Sequence, residues 1–234
     1  MKKIIFTLLA LTIVSLAWAK PNTNYRNKQL TLISYVVTID PSVYTYLDPY
    51  KDLFEKDAKV DPIEKAVRND AFSQLEQRLE QEIGMDIQPL ESFQDRISYD
   101  KFGYPDGNIS KVIRIGNSKF YFKIAITITA VEPRNDPYNS ARQINKDKKE
   151  TTDTITEESE PGFRPNVTIV MTIFNNKGII PVDKFQGMAK AKNILPTDAT
   201  LLDGIANNNA FEGKDNLMGL INEAITDLVI NMTH

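Results

Sequence analysis

Cysteine is absent from this 234-residue chain, and histidine and tryptophan each occur once. The lack of cysteine excludes disulfides, thiolate metal ligands and cysteine nucleophiles. The one histidine is His234, the last residue, so a catalytic triad that includes histidine is not expected. A zinc or other transition-metal site would have only carboxylates as ligands, which these metals seldom use alone. We therefore predict no catalytic residue, no metal site and no cofactor.

Glycine motifs that hold phosphate and runs of basic residues are also missing. The chain has no P-loop, no G-x-G-x-x-G motif after a strand and no G-x-S-x-G elbow. Its 28 basic and 31 acidic residues give a formal net charge of −3, and the basic residues are scattered along the chain. Nucleic acid and anionic lipid are both recognised by clustered Lys and Arg. The sequence therefore predicts no nucleic-acid partner and no attraction to anionic lipid.

The first 19 residues have the features of a cleaved secretory signal peptide. Lys2 and Lys3 precede an apolar stretch over residues 4–16, and residues 17–19 read Ala-Trp-Ala, a pattern that signal peptidase accepts. The alternative is a membrane anchor, but the apolar stretch is short for a bilayer span of about 20 residues. We predict cleavage near Ala19, a periplasmic or secreted protein, and no transmembrane segment after cleavage.

Residues 20–234 are predicted to form a single domain with one insertion. Residues 133–165 contain almost no aliphatic side chains and are dense in Asn, Asp, Lys, Glu and Thr. Such a segment cannot bury enough apolar surface to offset the entropy lost on ordering, so we expect it to be disordered. Strand-like sequence resumes directly after it, which favours an insertion in a sheet over a boundary between two domains.

Hydrophobic periodicity predicts an α+β fold. The expected elements are a strand at 30–39, a helix at 61–84, strands at 120–130, 167–175 and 179–192, and a final helix that begins near Asp215. Asp61 and Gly84 are suitable caps for the first helix. The prediction is an antiparallel or mixed sheet of about four to five strands in the order β-α-β-β-β-α, with two long helices packed on one face.

Smaller features within these elements carry their own expectations. Residues 112–115 are read as a short strand, and Tyr121 is assigned to the wetter face of the strand at 120–130. Gly178 is placed in a hairpin turn as a left-handed residue. Gly187 is expected to mark a bulge or a close packing contact.

Tyr44, Tyr46 and Tyr50 are the best ligand-binding candidates, because aromatic rings can stack on a sugar or hold a partner's side chain. Packing over the sheet edge is the alternative role of these rings. The carboxylates Glu76, Glu80, Glu82, Asp95 and Asp100 are the remaining candidates for acid–base chemistry. The three glutamates alternate with Gln and Arg away from Leu75 and Leu79, as on a solvated helix face.

The order of elements resembles small α/β domains of bacterial envelope proteins. The residues that carry this resemblance are residues 167–175, the Lys177-Gly178 turn, the return strand at 185–192 and the helix after Asn216. Similar domains occur in the TolB amino-terminal region, the curli-secretion lipoprotein and the penicillin-binding-protein activator lipoproteins. The resemblance implies a non-catalytic interaction or assembly module with a protein partner in the cell envelope. The alternatives are a small-ligand or glycan carrier, or a carboxylate-dependent hydrolase, and the oligomeric state is left open.

Overall fold

The structure is a computed structural model that describes residues 25–47, 60–131, 162–192, 195–196 and 216–233. The predicted signal peptide, Tyr50, Asp215, His234 and most of the predicted insertion lie outside these residues. The strands are β1 (Gln29–Ile39), β2 (Asp86–Ile87), β3 (Ser98–Tyr99), β4 (Pro105–Asp106), β5 (Phe120–Val131), β6 (Gly162–Asn175), β7 (Pro181–Lys190) and β8 (Leu195–Pro196). The α-helices are α1 (Pro41–Leu47), α2 (Pro62–Arg78), α3 (Ile109–Ile115) and α4 (Leu217–Thr233). A π-helical turn (Leu79–Ile83) extends α2, and a 3-10 helix (Leu90–Arg96) lies between β2 and β3.

The strands form one mixed sheet in the order β3-β4-β1-β5-β6-β7. β1 runs parallel to β5, whereas β5, β6 and β7 are antiparallel neighbours. The short strands β2 and β8 pair with β1 and β6. The predicted mixed α+β sheet is confirmed. Its strand number was underestimated, because β2, β3, β4 and β8 are two residues long and have no readable alternation.

The two long helices, α2 and α4, pack on the same face of the sheet. Their apolar stripes join the inward residues of β1, β5 and β6 in a single hydrophobic cluster. Alternation in β6 puts Val167, Ile169, Met171 and Ile173 into this core, and all four side chains are fully buried. The predicted burial of these residues and the predicted placement of the long helices are confirmed.

Local sequence signals fix both ends of the first long helix. The Asp61 carboxylate accepts a hydrogen bond from the Glu64 backbone N–H at 3.0 Å, and Pro62 is the first helical residue. Gly84 ends the π-helical turn in a left-handed conformation, with φ of 76°. In α4 the cap is Asn216, whose side chain accepts from the Gly219 N–H at 2.6 Å.

The opposite face of the sheet carries a second, smaller core that the sequence did not indicate. Ile33 follows the core residue Leu32 in β1 and so faces this side, where it packs with Tyr121 and residues of α3 and the 3-10 helix. Residues 112–115 are therefore helical and not a strand; Asn108 caps this helix by accepting from the Ser110 N–H at 2.9 Å. Tyr121 is fully buried, and its assignment to a wetter face was wrong, because α3 covers it.

The hairpin between β6 and β7 has a longer turn than predicted. The strands end at Asn175 and resume at Pro181, and Gly178 does not have a positive φ. Gly187 is a close packing contact, as predicted: a methyl group there would lie 2.1 Å from the carbonyl oxygen of Ala224 on α4. The absence of a side chain at this position lets the last helix lie directly against β7.

Candidate interaction surface

The tyrosines selected from the sequence do not form a described cluster. Tyr44 lies on α1, is partly buried and packs against the main core. The side chain of Tyr46 and the whole of Tyr50 lie outside the described residues. The position of Tyr44 agrees with the packing role that was the alternative to ligand binding.

The helical glutamates lie at the solvated side of α2, as their spacing indicated. Glu80 and Glu82 are exposed, and Glu82 pairs with Arg78 at 2.6 Å. Burial, and then the neighbouring Glu80 carboxylate, raise the pKa of Glu76. A hydrolase of the two-carboxylate type needs two acids that face one substrate, whereas these side chains follow one helix surface in contact with water.

Asp100 belongs to a buried ionic network around Arg68. The guanidinium donates to Glu64 at 3.2 Å and to Asp100 at 3.0 Å, and it also reaches the backbone carbonyls of Tyr35 and Val37. Since β1 pairs with β5 through its other edge, Arg68 binds carbonyl oxygens that no strand of the described residues satisfies. Both acids are thus bound to an arginine and help to hold α2 against β1.

Aromatic rings complete this network. Tyr35, Phe72 and Tyr104 contact each other with centroid separations of 4.6–5.3 Å, and Tyr104 donates to Asn69 at 3.0 Å. Burial raises the pKa of Tyr104 to about 12, and burial likewise raises the pKa of Tyr35 well above its usual value. Neutral, packed phenols of this kind stabilise the fold and are poor proton donors near neutral pH.

A second buried acid lies at the other side of the main core. Asp183 on β7 is 4% exposed and accepts a hydrogen bond from the hydroxyl of Tyr25, and its other oxygen has no hydrogen-bond partner. Tyr25 packs edge-on against Phe120 and Phe185. Tyr25, the first described residue, is thus hydrogen-bonded to β7, 158 positions later in the chain.

The surface that best suits binding is the part of the sheet that α3 and the 3-10 helix do not cover, here called the open face. Its uncharged centre is two rows of cross-strand neighbours: Val36, Ala125, Val170 and Gln186 in one row, and Thr38, Thr127, Thr168 and Met188 in the next. Val36 is 44% exposed and Met188 is 51% exposed. Each row crosses the four long strands, so the centre is a continuous, weakly polar platform.

Basic side chains stand at both ends of the open face. Lys123 and Lys184 flank Thr172 in the row next to the one that begins with Val36. Arg164 and Lys190 lie at the opposite end of the face. Within β1, β5, β6 and β7, the one acidic residue is Asp183, which faces the core instead. The open face is therefore positively charged, although the chain as a whole has a formal net charge of −3.

The sequence contained the components of the open face but not their arrangement. Alternation of Lys and Thr with aliphatic residues in 120–130 and 167–175 identified the outward positions. Which outward residues become neighbours depends on strand order and register, and β1 and β5 are separated by 80 residues of chain. The parallel pairing of β1 with β5 could not be read from periodicity alone.

In the described part of the chain, no group of three or more His, Cys, Asp or Glu side chains could hold a metal ion. Among the same residues, no helix combines the length and the apolar character needed to cross a bilayer.

Comparisons with known proteins find similar chains among solved structures alone. No family model matches, and no curated protein matches. The hypothetical protein CT253 from Chlamydia trachomatis is 10% identical, with a TM-score of 0.46 over 88% of this chain and 98% of that one. A Helicobacter pylori protein described as a homolog of neuraminyllactose-binding hemagglutinin is also 10% identical, with a TM-score of 0.36 over 90% of this chain and 88% of that one. At these TM-scores neither likeness carries an argument about function.

Proposed function

We propose that this protein is a non-catalytic interaction module of a bacterial cell envelope, that it acts in the periplasm or outside the cell after signal-peptide cleavage, and that it binds a partner protein through the open face. The observation that carries the proposal is the make-up of that face. An exposed, weakly polar centre with charged ends corresponds to the usual anatomy of a protein interface, in which the centre is depleted of charge and the rim is polar.

The charge of the open face indicates the chemistry of the partner. On the four long strands the charged residues of this face are all basic: Lys123, Arg164, Lys184 and Lys190. The acidic Asp106 of the short strand β4 lies opposite Ser34, beyond Lys123. A partner with acidic residues around an apolar centre would be steered toward this side, and partners with a basic surface would be repelled. The proposed partner is therefore an acidic protein surface.

The size of the open face sets the expected strength of binding. Four strands spaced about 4.8 Å apart and eight residues that rise about 3.4 Å each cover roughly 500 Å². A standard interface buries about 800 Å² on each partner, and smaller interfaces are typical of transient contacts. We therefore expect a reversible, transient complex.

The test is site-specific photo-crosslinking in the bacterium that produces the protein. A photoreactive residue replaces the exposed Thr127 at the centre of the open face, and the control carries it at the exposed Gln81 in the π-helical turn that follows α2. The expected result is one protein adduct from position 127 that is missing from position 81 and is lost in a Lys184→Glu, Lys190→Glu background. Equal adducts from both positions, or an adduct that survives the charge reversal, would refute the proposal.

A further inference from the structure

The turn between β6 and β7 exposes two adjacent isoleucines. Ile179 is 58% exposed and Ile180 is 79% exposed, which makes Ile180 the most exposed large apolar residue described. Both residues lie in the bend that leads from the turn into β7, and their side chains are open to solvent.

The base of this turn is held in place. The Asn175 side chain accepts from the Lys177 N–H at 2.9 Å, and the Asn176 N–H donates to the Lys119 carbonyl oxygen at 3.0 Å. Pro181 fixes its own φ and restricts Ile180 to extended conformations. These hydrogen bonds and Pro181 limit the backbone conformations of the segment that carries the isoleucines.

The fold gathers positive charge around the same tip. Lys177 precedes the isoleucines, and Lys119 is hydrogen-bonded to the turn although it lies 57 positions earlier in the chain. Lys123 and Lys184 follow in the row that flanks Thr172. The acidic residue of the hairpin, Asp183, is buried and bonded to Tyr25. The sequence prediction of no attraction to anionic lipid rested on the scatter of basic residues along the chain, and it did not consider which of them the fold brings together.

We propose that the tip formed by residues 176–180 docks on an anionic membrane surface, with Ile179 and Ile180 in the boundary between headgroups and acyl chains and with Lys119 and Lys177 at the headgroups. A convex apolar tip without polar partner groups is suited to a bilayer interface, whereas a protein partner of such a tip would have to supply a matching pocket. Aliphatic insertion combined with basic residues is a recognised mode of interfacial binding. Residues 176–180 lie outside the uncharged centre of the open face, although Lys123 and Lys184 border both surfaces. The isoleucine variants and the position-127 crosslink therefore test the two proposals separately.

A single dye at the tip can detect docking directly. The chain has no cysteine, and a side chain at Gly178 would meet nothing within 4 Å, so Gly178→Cys provides a unique and unstrained attachment site next to both isoleucines. Gln81→Cys is the control position. The protein used is the chain from Lys20, because the apolar residues 4–16 would bind lipid themselves, and circular dichroism must show that it folds like the full chain.

The probes are vesicles of phosphatidylcholine with or without phosphatidylglycerol. We expect a blue shift of an environment-sensitive dye at position 178, but not at position 81, that grows with phosphatidylglycerol content and weakens with salt. Ile179→Ser with Ile180→Ser should reduce partitioning by roughly tenfold for each isoleucine. Ile230→Ser, which alters an equally apolar residue that is 47% exposed on α4, should leave partitioning unchanged.

Three outcomes would overturn this inference. The dye at position 178 could show no shift at any phosphatidylglycerol content. The shift could persist in the double serine variant, which would mean that the isoleucines do not insert. Finally, the shift could require an added envelope protein, which would show that the tip enters a protein pocket and not a lipid surface.

Discussion

Gly187 provides the sharpest test of the packing described above. A methyl group at this position would lie 2.1 Å from the Ala224 carbonyl oxygen and 2.6 Å from the Leu228 backbone nitrogen, whereas ordinary contacts begin at 3.4 Å. Both obstacles are backbone atoms of α4, which cannot rotate away as a side chain would. Gly187→Ala therefore forces the helix to retreat from β7 by more than an ångström.

The retreat would also break polar contacts on either side of Gly187. The Met188 N–H donates to the Asp227 carboxylate at 2.9 Å, and the Asn231 side chain donates to the Gln186 carbonyl oxygen at 3.0 Å. Overpacking that side chains can absorb costs about 1–3 kcal/mol, and a displaced helix belongs at or above the upper end of that range. We expect Gly187→Ala to lower the free energy of unfolding by about 3 kcal/mol or more.

The assay is urea and thermal unfolding followed by circular dichroism. For a domain of this size, about 3 kcal/mol corresponds to a fall in Tm of roughly 6–12 °C. Gly178→Ala is the matched control, because the same methyl group in the same hairpin meets nothing within 4 Å. If the two variants differ in stability by less than about 0.5 kcal/mol, which is the usual scatter of surface substitutions, the described contact between β7 and α4 is wrong.

Three further predictions concern the first long helix and its surroundings. Arg68→Ala leaves Glu64 and Asp100 without their common partner and should cost about 3 kcal/mol in urea unfolding, whereas Arg68→Lys should recover only part of that loss. Because the folded pKa of Tyr104 is raised to about 12 from 10.0, its stabilising contribution is complete below pH 10 and is lost as pH rises toward 12. The urea midpoint should fall between pH 10 and 12 as phenolate absorbance rises, and it should fall less steeply in Tyr104→Phe. If the midpoint falls equally steeply with pH in both proteins, the raised pKa does not belong to Tyr104. Asp61→Ala removes the cap on the Glu64 N–H and should cost about 1 kcal/mol, with Asp61→Asn close to neutral.

Sequence reasoning succeeded where one local rule decided the outcome. Asp61 and Gly84 act as helix caps because cap chemistry depends on a few adjacent residues. The inward residues of β6 follow from alternation alone. Even the close approach at Gly187 had a local signal, since glycine inside a strand that is otherwise regular indicates crowding.

The errors arose where a distant element determined the environment. Residues 112–115 have the β-branched composition of a strand, but the Asn108 cap and the cover needed over Tyr121 select a helix. Tyr121 occupies an outward position by alternation, and it is buried because α3 and the 3-10 helix pack over it together with Ile33, which lies more than 80 residues earlier. The neighbours within the open face, and the lysines that lie near the tip, likewise depend on the register between strands that are distant in sequence. A local stretch of sequence does not determine that register.

Side chains block both edges of the sheet formed by the four long strands. A partner is therefore expected to bind the open face and not to add a strand at an edge. A strand that joined β7 would have to displace Asp227 and Asn231, which already occupy a backbone N–H and a carbonyl group of that edge. On the other edge, β4 pairs with β1 at Ser34. A strand that joined β1 after this residue would have to displace the Arg68 guanidinium from the carbonyls of Tyr35 and Val37. Blocking edges with charged or polar side chains is a common defence against edge-to-edge association. Since each blocking side chain comes from a helix on the covered side, the open face retains its own side chains for a partner.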